Sequence, residues 1–577
     1  MSLLLGVGIS LGISPSVWAG EKIRESKPCD RWLILGIESI TFSDPERRLL
    51  CGDPTNPSWK NVPDNQAVLF MRTFLQDYGY FSPKFDIQPS RIEVTLGNPT
   101  RVTSLRTEGE PRNLPIDKLR NIVGVRLTPK LLDATKDRLR RLLEERGYPC
   151  SDIKMEADPD TGEMLAHLQS GLPLKIIKVD EDKVPGMWPG MMRRYWAFDI
   201  GSPYNGDFVN LTSRRITDQG IVQSTYFTPT CTEEGAILRQ QVVAGPPRIV
   251  TLGTGVDTEQ FLIGRANWTN SRMGSTGSSV SLTANASSKV QQFIAQGSWY
   301  FHTDPSRSYL KPGLDIKHEN EQYFENLVTR FSFGPAATYD SQNLAFDLSI
   351  APTLNWTRTY RGPGPGDTEF MSLSATFHTK DHYFEFYRDR PRRGFSLTLD
   401  GDFTQRGWLS PVTAQAVRSS LESLWNIGNF DPPFLVFGFR AGLYTTFTDE
   451  QVSSQALPSQ FRNFLGGSGD LRGFGRQELP GPNGGLSAVY GGVEFRIADT
   501  LPWGLQPFVF GDFGMLGSRT LQLDSPVFWD PGFGLRWQAP FGVIRTTLSH
   551  GFVSGPQLGY GDQIRHWQFY FSFGEEF

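Results

Sequence analysis

The sequence predicts α+β repeats followed by an all-β transmembrane barrel. Three observations predict this order: an apolar N-terminal stretch, a regular spacing of glycine markers in the first 246 residues, and strand-like alternation from Pro247 onward. The composition agrees, since the 577 residues include 59 glycines and 12% aromatic residues but only 38% hydrophobic residues. A mean hydropathy of −0.33 argues against a protein with many transmembrane helices. A net charge of −4 gives no whole-chain reason to expect a nucleic-acid partner.

The N-terminal residues resemble an export signal. Residues 3–18 are apolar, and Val17 and Ala19 place small residues where signal peptidase requires them. We therefore expect residues 1–19 to be a signal peptide, with mature protein starting near Gly20 in a cell envelope. The usual basic segment before the apolar run is missing. The alternative is a short membrane anchor, which a stretch containing Gly and Pro suits poorly.

A repeat of about 74 residues organises the soluble half. Its first marker is a glycine that ends a helical segment and precedes an apolar residue, and its second is a glycine followed closely by proline. The second marker recurs with spacings of 74 and 74 residues, at Gly97, Gly171 and Gly245. Two markers with one period predict three modules. We place them at residues 20–97, 98–171 and 172–246.

The middle module shows the pattern of each repeat most clearly. Residues 101–107 alternate like a strand, and 115–123 are predicted to be a first helix. A second helix has one apolar face, and residues 151–156 and 163–169 form a predicted hairpin. The order is β-α-α-β-β. Such a sheet has an open edge that an extended peptide could join by strand addition, although the modules could also be spacers.

The four cysteines all lie in the first 40% of the chain. None has the CxxC spacing of a zinc site, and we expect no metal and no cofactor. In an oxidising compartment an even number allows disulfides. Cys29 with Cys51 is the most local pairing, whereas Cys150 with Cys231 would join two repeats.

Residues 247–577 alternate as the strands of a membrane barrel do. In 435–447 the odd positions are mostly bulky and apolar, while the even positions hold Arg440, Tyr444 and glycines. Residues 487–497 and 566–574 show the same pattern, and Glu494 lies on the polar face. Segment 508–514 is irregular, because Phe508 and Phe510 share a face with Asp512. Polar residues inside and apolar residues outside suit a water-filled lumen in a lipid bilayer.

The length of this region predicts about 16 strands, at roughly 20 residues for each strand with its connection. Connections alternate between long and short, and short turns face the periplasm in such barrels. Counting back from the C-terminus places the long connection 448–485 on the outer side, with five strands after it.

Sequence motifs in this half resemble one superfamily. Residues 466–474, GGSGDLRGF, resemble the GG…(V/I)RG(F/Y) signature of the outer-membrane assembly and translocation superfamily, the BamA/TamA type or surface antigen family, with Leu471 where Val or Ile is usual. Residues 493–496 resemble its Glu-bearing strand, and residues 510–514 resemble its F-x-D-x-G strand. Residues 532–542 resemble its GxGxRWxSPxG strand, and residues 390–395 resemble its NPRRGY segment. Three modules and about 16 strands are most similar to the translocation and assembly module subunit, TamA.

The resemblance implies both architecture and partners. The modules would be periplasmic POTRA modules, and the barrel would lie in the outer membrane of a Gram-negative bacterium. The clients would be unfolded outer-membrane or secreted proteins such as autotransporters. A TamB-like protein anchored in the inner membrane would bind the POTRA end. Phe577 would complete the C-terminal assembly signal.

The same resemblance, with the alternation, indicates the site residues. Arg472, Gly473 and Phe474 form the loop motif, and Glu494 and Asp512 are the expected carboxylate partners of Arg472 inside the lumen. The first and last strands should form a lateral seam, with Gly253 and Gly255 on one side and Phe569, Tyr570 and Phe571 on the other. The predicted activity is an insertase or translocase that opens this seam. The alternative is a two-partner-type pore that exports one cognate protein through the lumen. Beyond the expected signal peptide the sequence contains none of the HExxH, GxSxG or P-loop motifs, so we expect no enzyme activity.

Overall fold

The computed structural model describes residues 24–574 except 54, 57–61, 113, 121, 185–186, 189, 275, 302–306, 342, 388–391, 450–452, 540–541 and 556–566. The predicted signal peptide, Phe577 and the Arg390-Pro391 pair lie outside these residues. The chain separates into two compact units, Met1–Arg112 with Asn121–Leu139 and Ile153–Gln169, and Asn113–Arg120 with Arg140–Asp152 and Ser170–Phe577. Each unit is described by itself.

The first sheet has four strands in the order β1-β2-β4-β3, covered by two helices. Ser43 and Glu46 form a capping box that starts the first helix. Trp32, Leu50 and Met71 are almost fully buried between the helices and the sheet, and Cys29 is bonded to Cys51 as the sequence analysis expects. The elements are β1 (Arg24–Ser26), β2 (Trp32–Gly36), α1 (Asp44–Cys51), α2 (Asp64–Asp77), β3 (Lys84–Ile87) and β4 (Ile92–Thr95).

The second sheet has three strands in the order β5-β7-β6. Its elements are β5 (Ser104–Glu110), α3 (Pro129–Glu145), β6 (Asp152–Ala157) and β7 (Glu163–Gln169). The helix predicted over 115–123 is wrong, because only the 3₁₀ turn Ile116–Lys118 forms there. The backbone N–H of Arg120 donates to the Asp431 carbonyl at 2.8 Å, and that of Asp431 donates to the Lys118 carbonyl at 2.9 Å. These bonds engage backbone groups that a continuous helix would use internally.

The third sheet also has three strands, in the order β8-β10-β9. The 3₁₀ turn Met191–Tyr195 replaces the first helix, and Asn205 caps the second through the N–H groups of Asp207 and Phe208. Cys150 is bonded to Cys231. The elements are β8 (Ile176–Glu181), α4 (Gly206–Asp218), β9 (Ser224–Cys231) and β10 (Ala236–Val243). The three sheets are small α/β modules of the POTRA kind, and the module boundaries stay a prediction.

The remaining strands form a closed antiparallel barrel of 16 strands, in agreement with the predicted number. The fifteenth barrel strand is interrupted at Gly551. A short helix, α5 (His382–Phe386), follows the eighth barrel strand. The strands are β11 (Arg248–Asp257), β12 (Phe261–Met273), β13 (Ser278–Ala286), β14 (Val290–Ser298), β15 (Ser308–Asn320), β16 (Glu325–Asp340), β17 (Leu344–Arg361), β18 (Asp367–Asp381), β19 (Gly394–Thr404), β20 (Ala414–Ile427), β21 (Leu435–Thr448), β22 (Ser487–Ile497), β23 (Leu505–Gly517), β24 (Val527–Ala539), β25 (Gly542–His550 and Phe552–Ser554) and β26 (Trp567–Gly574).

The two faces of the barrel strands differ as the alternation predicts. Val493, Phe495 and Ile497 of β22 are exposed on the outside, while the intervening Glu494 is largely covered within the lumen. The irregular strand β23 keeps Val509 and Phe513 outside and buries Phe508, Phe510 and Asp512. The outer face is therefore apolar, as a bilayer requires. Across the described residues, no helix is both long and apolar enough to cross a membrane.

Chain direction fixes the position of the connections. β11 follows the third module and therefore runs away from it. The connection between β11 and β12 then lies at the far end, and every second connection after it, from β12–β13 on, lies on the module side, which is the periplasmic side of the outer membrane. The longest connection, residues 449–486 between β21 and β22, lies at the opposite, external end. We call it the inward loop, because it folds into the lumen.

Candidate functional site at the inward loop and the barrel seam

The centre of the inward loop is buried in the barrel rather than solvated at its mouth. Leu471, Arg472 and Phe474 are at most 2% exposed. Leu471 and Phe474 pack with Leu465, Leu516 and Phe528 in one hydrophobic cluster. An arginine so placed must find anionic partners, because an unpaired buried charge is strongly unfavourable.

Arg472 binds both carboxylates that the sequence analysis names. Its Nε and Nη2 donate to Asp512 Oδ2 and Oδ1 at 2.8 and 3.0 Å, and its Nη1 donates to Glu494 Oε2 at 2.9 Å. Arg472 Cζ lies 3.4 Å from the ring centre of Phe510. The fork geometry on Asp512 fixes the orientation of the guanidinium as well as its position. We call Arg472, Asp512, Glu494 and Phe510 the loop anchor.

Other arginines on the lumen wall share the carboxylates of the loop anchor. Arg440 donates to Asp512 Oδ2 at 2.8 Å and to the carbonyls of Gly469 and Asp470, also at 2.8 Å. Arg496 and Arg545 bind Glu494 at 2.8 and 3.2 Å. Both carboxylates are thus satisfied by more than one cation, so the anchor is a network rather than an isolated pair.

The glycines of the motif allow this close packing. A Cβ at Gly473 would lie 2.4 Å from Asp530 Cβ and 2.8 Å from Gly551 Cα, so the backbone passes the wall where no side chain fits. Gly466 and Gly467 have φ of +113° and +120°, which lets the chain reverse ahead of the motif. Ser549 on β25 donates to the Arg472 carbonyl. The motif is therefore held by its backbone as well as by its arginine.

Over the described residues, the ladder between β11 and β26 at the seam is the shortest of the barrel. Among the described residues only Val256 with Phe573 and Asp257 with Ser572 are paired, and the Thr258 N–H donates to the Phe571 carbonyl at 3.0 Å. The other neighbouring barrel strands pair over at least seven residues, as β14 and β15 do, and over as many as fifteen in β17 and β18.

The described residues give the register of the seam. Val256 of β11 lies opposite Phe573 of β26, and Asp257 lies opposite Ser572. Phe571 lies at the seam through its backbone, because its carbonyl accepts the Thr258 N–H. Gly253 and Gly255 pair with Arg265 and Ile263 on the β12 side of the strand, and their part in the seam stays a prediction. The register of the first strand against the last follows from the stagger of the strands around the barrel, which a single strand's sequence does not encode.

The two aromatic residues next to Phe571 point to opposite sides. Phe569 is 54% exposed on the outer face, whereas Tyr570 is 8% exposed and faces the lumen. The Tyr570 hydroxyl donates to the Phe474 carbonyl of the inward loop. Tyr570 therefore contacts the loop motif rather than a lipid-side partner across the seam.

A second, partly buried arginine joins the third module to the barrel base. Arg215 of α4 donates to Glu385 at 2.9 and 2.7 Å and to Asp340 at 2.9 Å. Arg307 and His382 bind the same Asp340. We call this group the base joint. No group of metal-ligating residues occurs in the part of the chain that the structure describes.

Sequence reasoning missed several members of the site. Alternation places Arg440 on the lumen face, but no local signal shows that the inward loop passes beside it. Phe510 seemed to break the pattern of its strand, and its ring turns out to support Arg472. An aromatic residue on the same strand face as a lumen carboxylate is the signal that could have revealed this role.

A 16-stranded barrel with small α/β modules and an anchored inward loop defines a class of outer-membrane protein, and the comparisons identify its family. The Omp85 superfamily domain matches residues 209–577, so this chain belongs to the Omp85 superfamily. Members of this superfamily insert or translocate proteins at the outer membrane, and they are transport and assembly proteins.

Solved structures of outer-membrane proteins are similar to this chain at low sequence identity. BamA from Haemophilus ducreyi, crystallised without POTRA domains 1–3, is 15% identical with a TM-score of 0.50, over 82% of this chain and 99% of that one. CdiB from Acinetobacter baumannii is 10% identical with a TM-score of 0.45, covering 82% and 89%. CdiB from Escherichia coli is 12% identical with a TM-score of 0.45, covering 89% and 97%. No curated protein sequence matches this chain. The likeness to TamA stays a prediction.

Proposed function

We propose that this protein is an insertase that assembles client β-strand proteins through lateral opening of the β11–β26 seam. The observation that supports the proposal best is the seam, in which the described residues form two pairs where those of every other neighbouring strand pair form at least seven. Backbone groups without partners are costly in lipid, by several kcal/mol each, so an opened seam would bind an incoming strand edge.

The first strand offers a suitable edge. Val250 and Leu252 of β11 are 66% and 76% exposed, and this part of the strand pairs with β12 on one side. A client strand that bonds to the other side would extend the barrel sheet by strand addition. The driving force is satisfaction of hydrogen bonds in the bilayer, so the cycle needs no nucleotide.

A disulfide across the seam tests the proposal. Val256 and Phe573 are paired, so Val256→Cys with Phe573→Cys should form a bond that holds the seam closed. We expect client assembly by the locked protein to fall at least tenfold while the barrel stays folded. Leu314→Cys with Phe331→Cys, a paired position between β15 and β16, is the matched control and should leave assembly unchanged.

The outcomes separate the two functions considered. Reductant should restore assembly by the locked protein, measured against wild-type protein treated in the same way because of its own disulfides. Full activity of the locked protein would contradict lateral opening. It would favour the pore that exports one cognate protein through the lumen.

The modules supply the second part of the proposal, capture of the unfolded client. β6 and β9 are edge strands of their sheets, and β9 contains Pro229, which cannot donate a hydrogen bond to an added strand. We therefore favour β6 over β9 as the edge that captures the client. A photo-cross-linking residue at Lys154 should trap client, and one at Thr228 should trap less. Equal trapping at both positions would contradict this choice of edge.

The partner at the module end is also a proposal. By its resemblance to TamA, the chain would bind a TamB-like protein anchored in the inner membrane through its first modules. Co-purification of such a protein with the full chain, lost when residues 24–95 are deleted, would support it. Retention after that deletion would place the partner elsewhere.

A further inference from the structure

The inward loop contacts both sides of the seam. On the first-strand side, Glu259 in the turn after β11 accepts hydrogen bonds from the Ser468 N–H at 3.2 Å and from the Ser468 hydroxyl. On the last-strand side, the Tyr570 hydroxyl of β26 donates to the Phe474 carbonyl. Ser468 and Phe474 are six residues apart in the loop, on either side of Arg472.

These contacts lie next to the two-residue ladder. Glu259 follows Asp257 by two residues, and Tyr570 precedes Ser572 by two, and Asp257 and Ser572 are a register pair. The Phe474 carbonyl also accepts the Gly467 N–H at 3.0 Å, so both contact points belong to one compact turn. A cavity of about 660 Å³ adjoins them, lined by Asp257, Glu259, Gly469, Tyr570 and Ser572 among others.

We infer that Glu259 and Tyr570 are positioning residues through which the inward loop holds the seam closed. We call Glu259, Ser468, Phe474 and Tyr570 the seam latch. The loop anchor fixes the turn to the wall, and the latch ties β11 and β26 to that turn. The loop thus adds hydrogen bonds from inside the lumen to the pairs that the described strands form between themselves. This inference rests on the proposed opening of the seam and adds its control.

The latch is released when another group takes the place of one of its hydrogen-bond partners. A client segment that enters the cavity would compete for the Glu259 carboxylate and for the Phe474 carbonyl. Loss of either contact frees one strand from the loop and leaves the seam with its own two pairs. The latch therefore couples occupancy of the cavity to opening of the seam.

Hydrogen exchange of the purified, client-free protein in lipid nanodiscs tests the latch. The readout is exchange of the amides in 248–258 and 567–574. We expect Glu259→Ala and Tyr570→Phe each to speed it by about five- to tenfold, since each removes hydrogen bonds that hold the closed state. Strands far from the seam, such as β16 and β17, should exchange as in the wild type.

Matched variants separate the latch from a general loosening of the barrel. Tyr444→Phe removes a lumen hydroxyl that donates to Tyr490, and Glu319→Ala removes a lumen carboxylate paired with Lys317; neither should change seam exchange. Glu259→Gln keeps an acceptor oxygen and should restore slow exchange. A disulfide between Glu259→Cys and Ser468→Cys should slow exchange below the wild-type rate.

The outcomes distinguish this inference from the proposed function. Wild-type exchange at the seam in both Glu259→Ala and Tyr570→Phe would overturn the latch, and so would equal acceleration in every barrel strand. Faster seam exchange, combined with full client assembly by the Val256→Cys, Phe573→Cys lock, would support the latch and overturn lateral opening instead.

Discussion

The loop anchor and the seam are built by opposite means. The anchor buries one guanidinium against two carboxylates and an aromatic ring, and each carboxylate has further arginine partners. The seam is a stretch of backbone ladder with two paired residues. The charged groups of the anchor each have more than one partner, whereas the seam has fewer paired residues than any other strand pair of the described barrel.

The difference shows where this barrel is rigid and where it is free to change. A buried charge network resists partial opening, because losing one partner leaves a charge unpaired in a covered site. A short ladder opens by losing a few neutral bonds. The same lumen therefore holds a fixed point and a weak joint, and the inward loop touches both.

Arg472→Ala should give the largest effect. It removes the cation shared by Asp512 and Glu494, and we expect the free energy of unfolding to fall by about 3–5 kcal/mol. Loss of the compact, heat-modifiable form on gels measures this change. The exposed Arg406 lies on another external connection, so Arg406→Ala is the control and should stay near wild type. If the compact form of Arg472→Ala is lost at the same temperature as that of Arg406→Ala, the anchor is contradicted.

Gly473→Ala should come next. The added methyl group meets Asp530 and Gly551, and overpacking of this kind costs about 1–3 kcal/mol. Gly469→Ala is the matched control in the same loop, since a Cβ there meets no atom within 4 Å. Equal stability of the two variants would show that the motif backbone is not tightly packed against the wall.

A double-mutant cycle sharpens the account of the anchor itself. Arg472 binds Asp512 with two bonds and Glu494 with one, and Glu494 keeps Arg496 and Arg545 when Arg472 is removed. We expect a coupling of about 2 kcal/mol for Arg472 with Asp512, and below about 1 kcal/mol for Arg472 with Glu494. Additive effects in both cycles would remove the network.

The smallest expected effect is a change of stability with pH, through a carboxyl group near the base joint. Burial, with the nearby Glu145 carboxylate, raises the pKa of Asp207 in α4 to about 6. A raised carboxyl pKa means that the folded protein binds the proton more tightly than the unfolded chain. Its stabilising contribution is complete below pH ~4 and is lost as pH rises through about 6.

Stability should therefore fall by about 1 kcal/mol between pH 5 and pH 7, through Asp207. Asp207→Asn should flatten that part of the curve, with thermal unfolding of the full chain as the measurement. The loop anchor should show no corresponding change, because the Arg472→Ala difference should persist at both pH values. An unchanged slope in Asp207→Asn would assign the pH dependence to another group.

Local patterns in the sequence predicted the faces of the strands but not their stagger. Alternation placed Glu494 in the lumen, and the barrel confirms the 16-stranded fold. At the seam Val256 lies opposite Phe573 and Asp257 lies opposite Ser572, and this register depends on the closure of the whole barrel rather than on either strand alone.

Long-range contacts account for the other differences. The helix predicted over 115–123 is lost because Lys118 and Arg120 bond to Asp431, more than 300 residues away. Phe510 belongs to the anchor, and Arg440 shares its Asp512 carboxylate, only because the inward loop folds into the lumen beside their strands. The motif around Arg472 could be recognised from its neighbours in sequence, whereas its surroundings come from six separate strands, β21 to β26.

The disulfide between Cys150 and Cys231 imposes an order on the biogenesis of this chain. The two cysteines are 81 residues apart, with Cys29 and Cys51 already exported ahead of them. During export from the N-terminus, Cys150 has to remain a thiol until Cys231 reaches the oxidising periplasm. Cys231 precedes β11 by 17 residues. The Cys150–Cys231 bond is therefore able to close before any barrel strand is exported, and an oxidase that acts too early would capture Cys150 with the wrong partner.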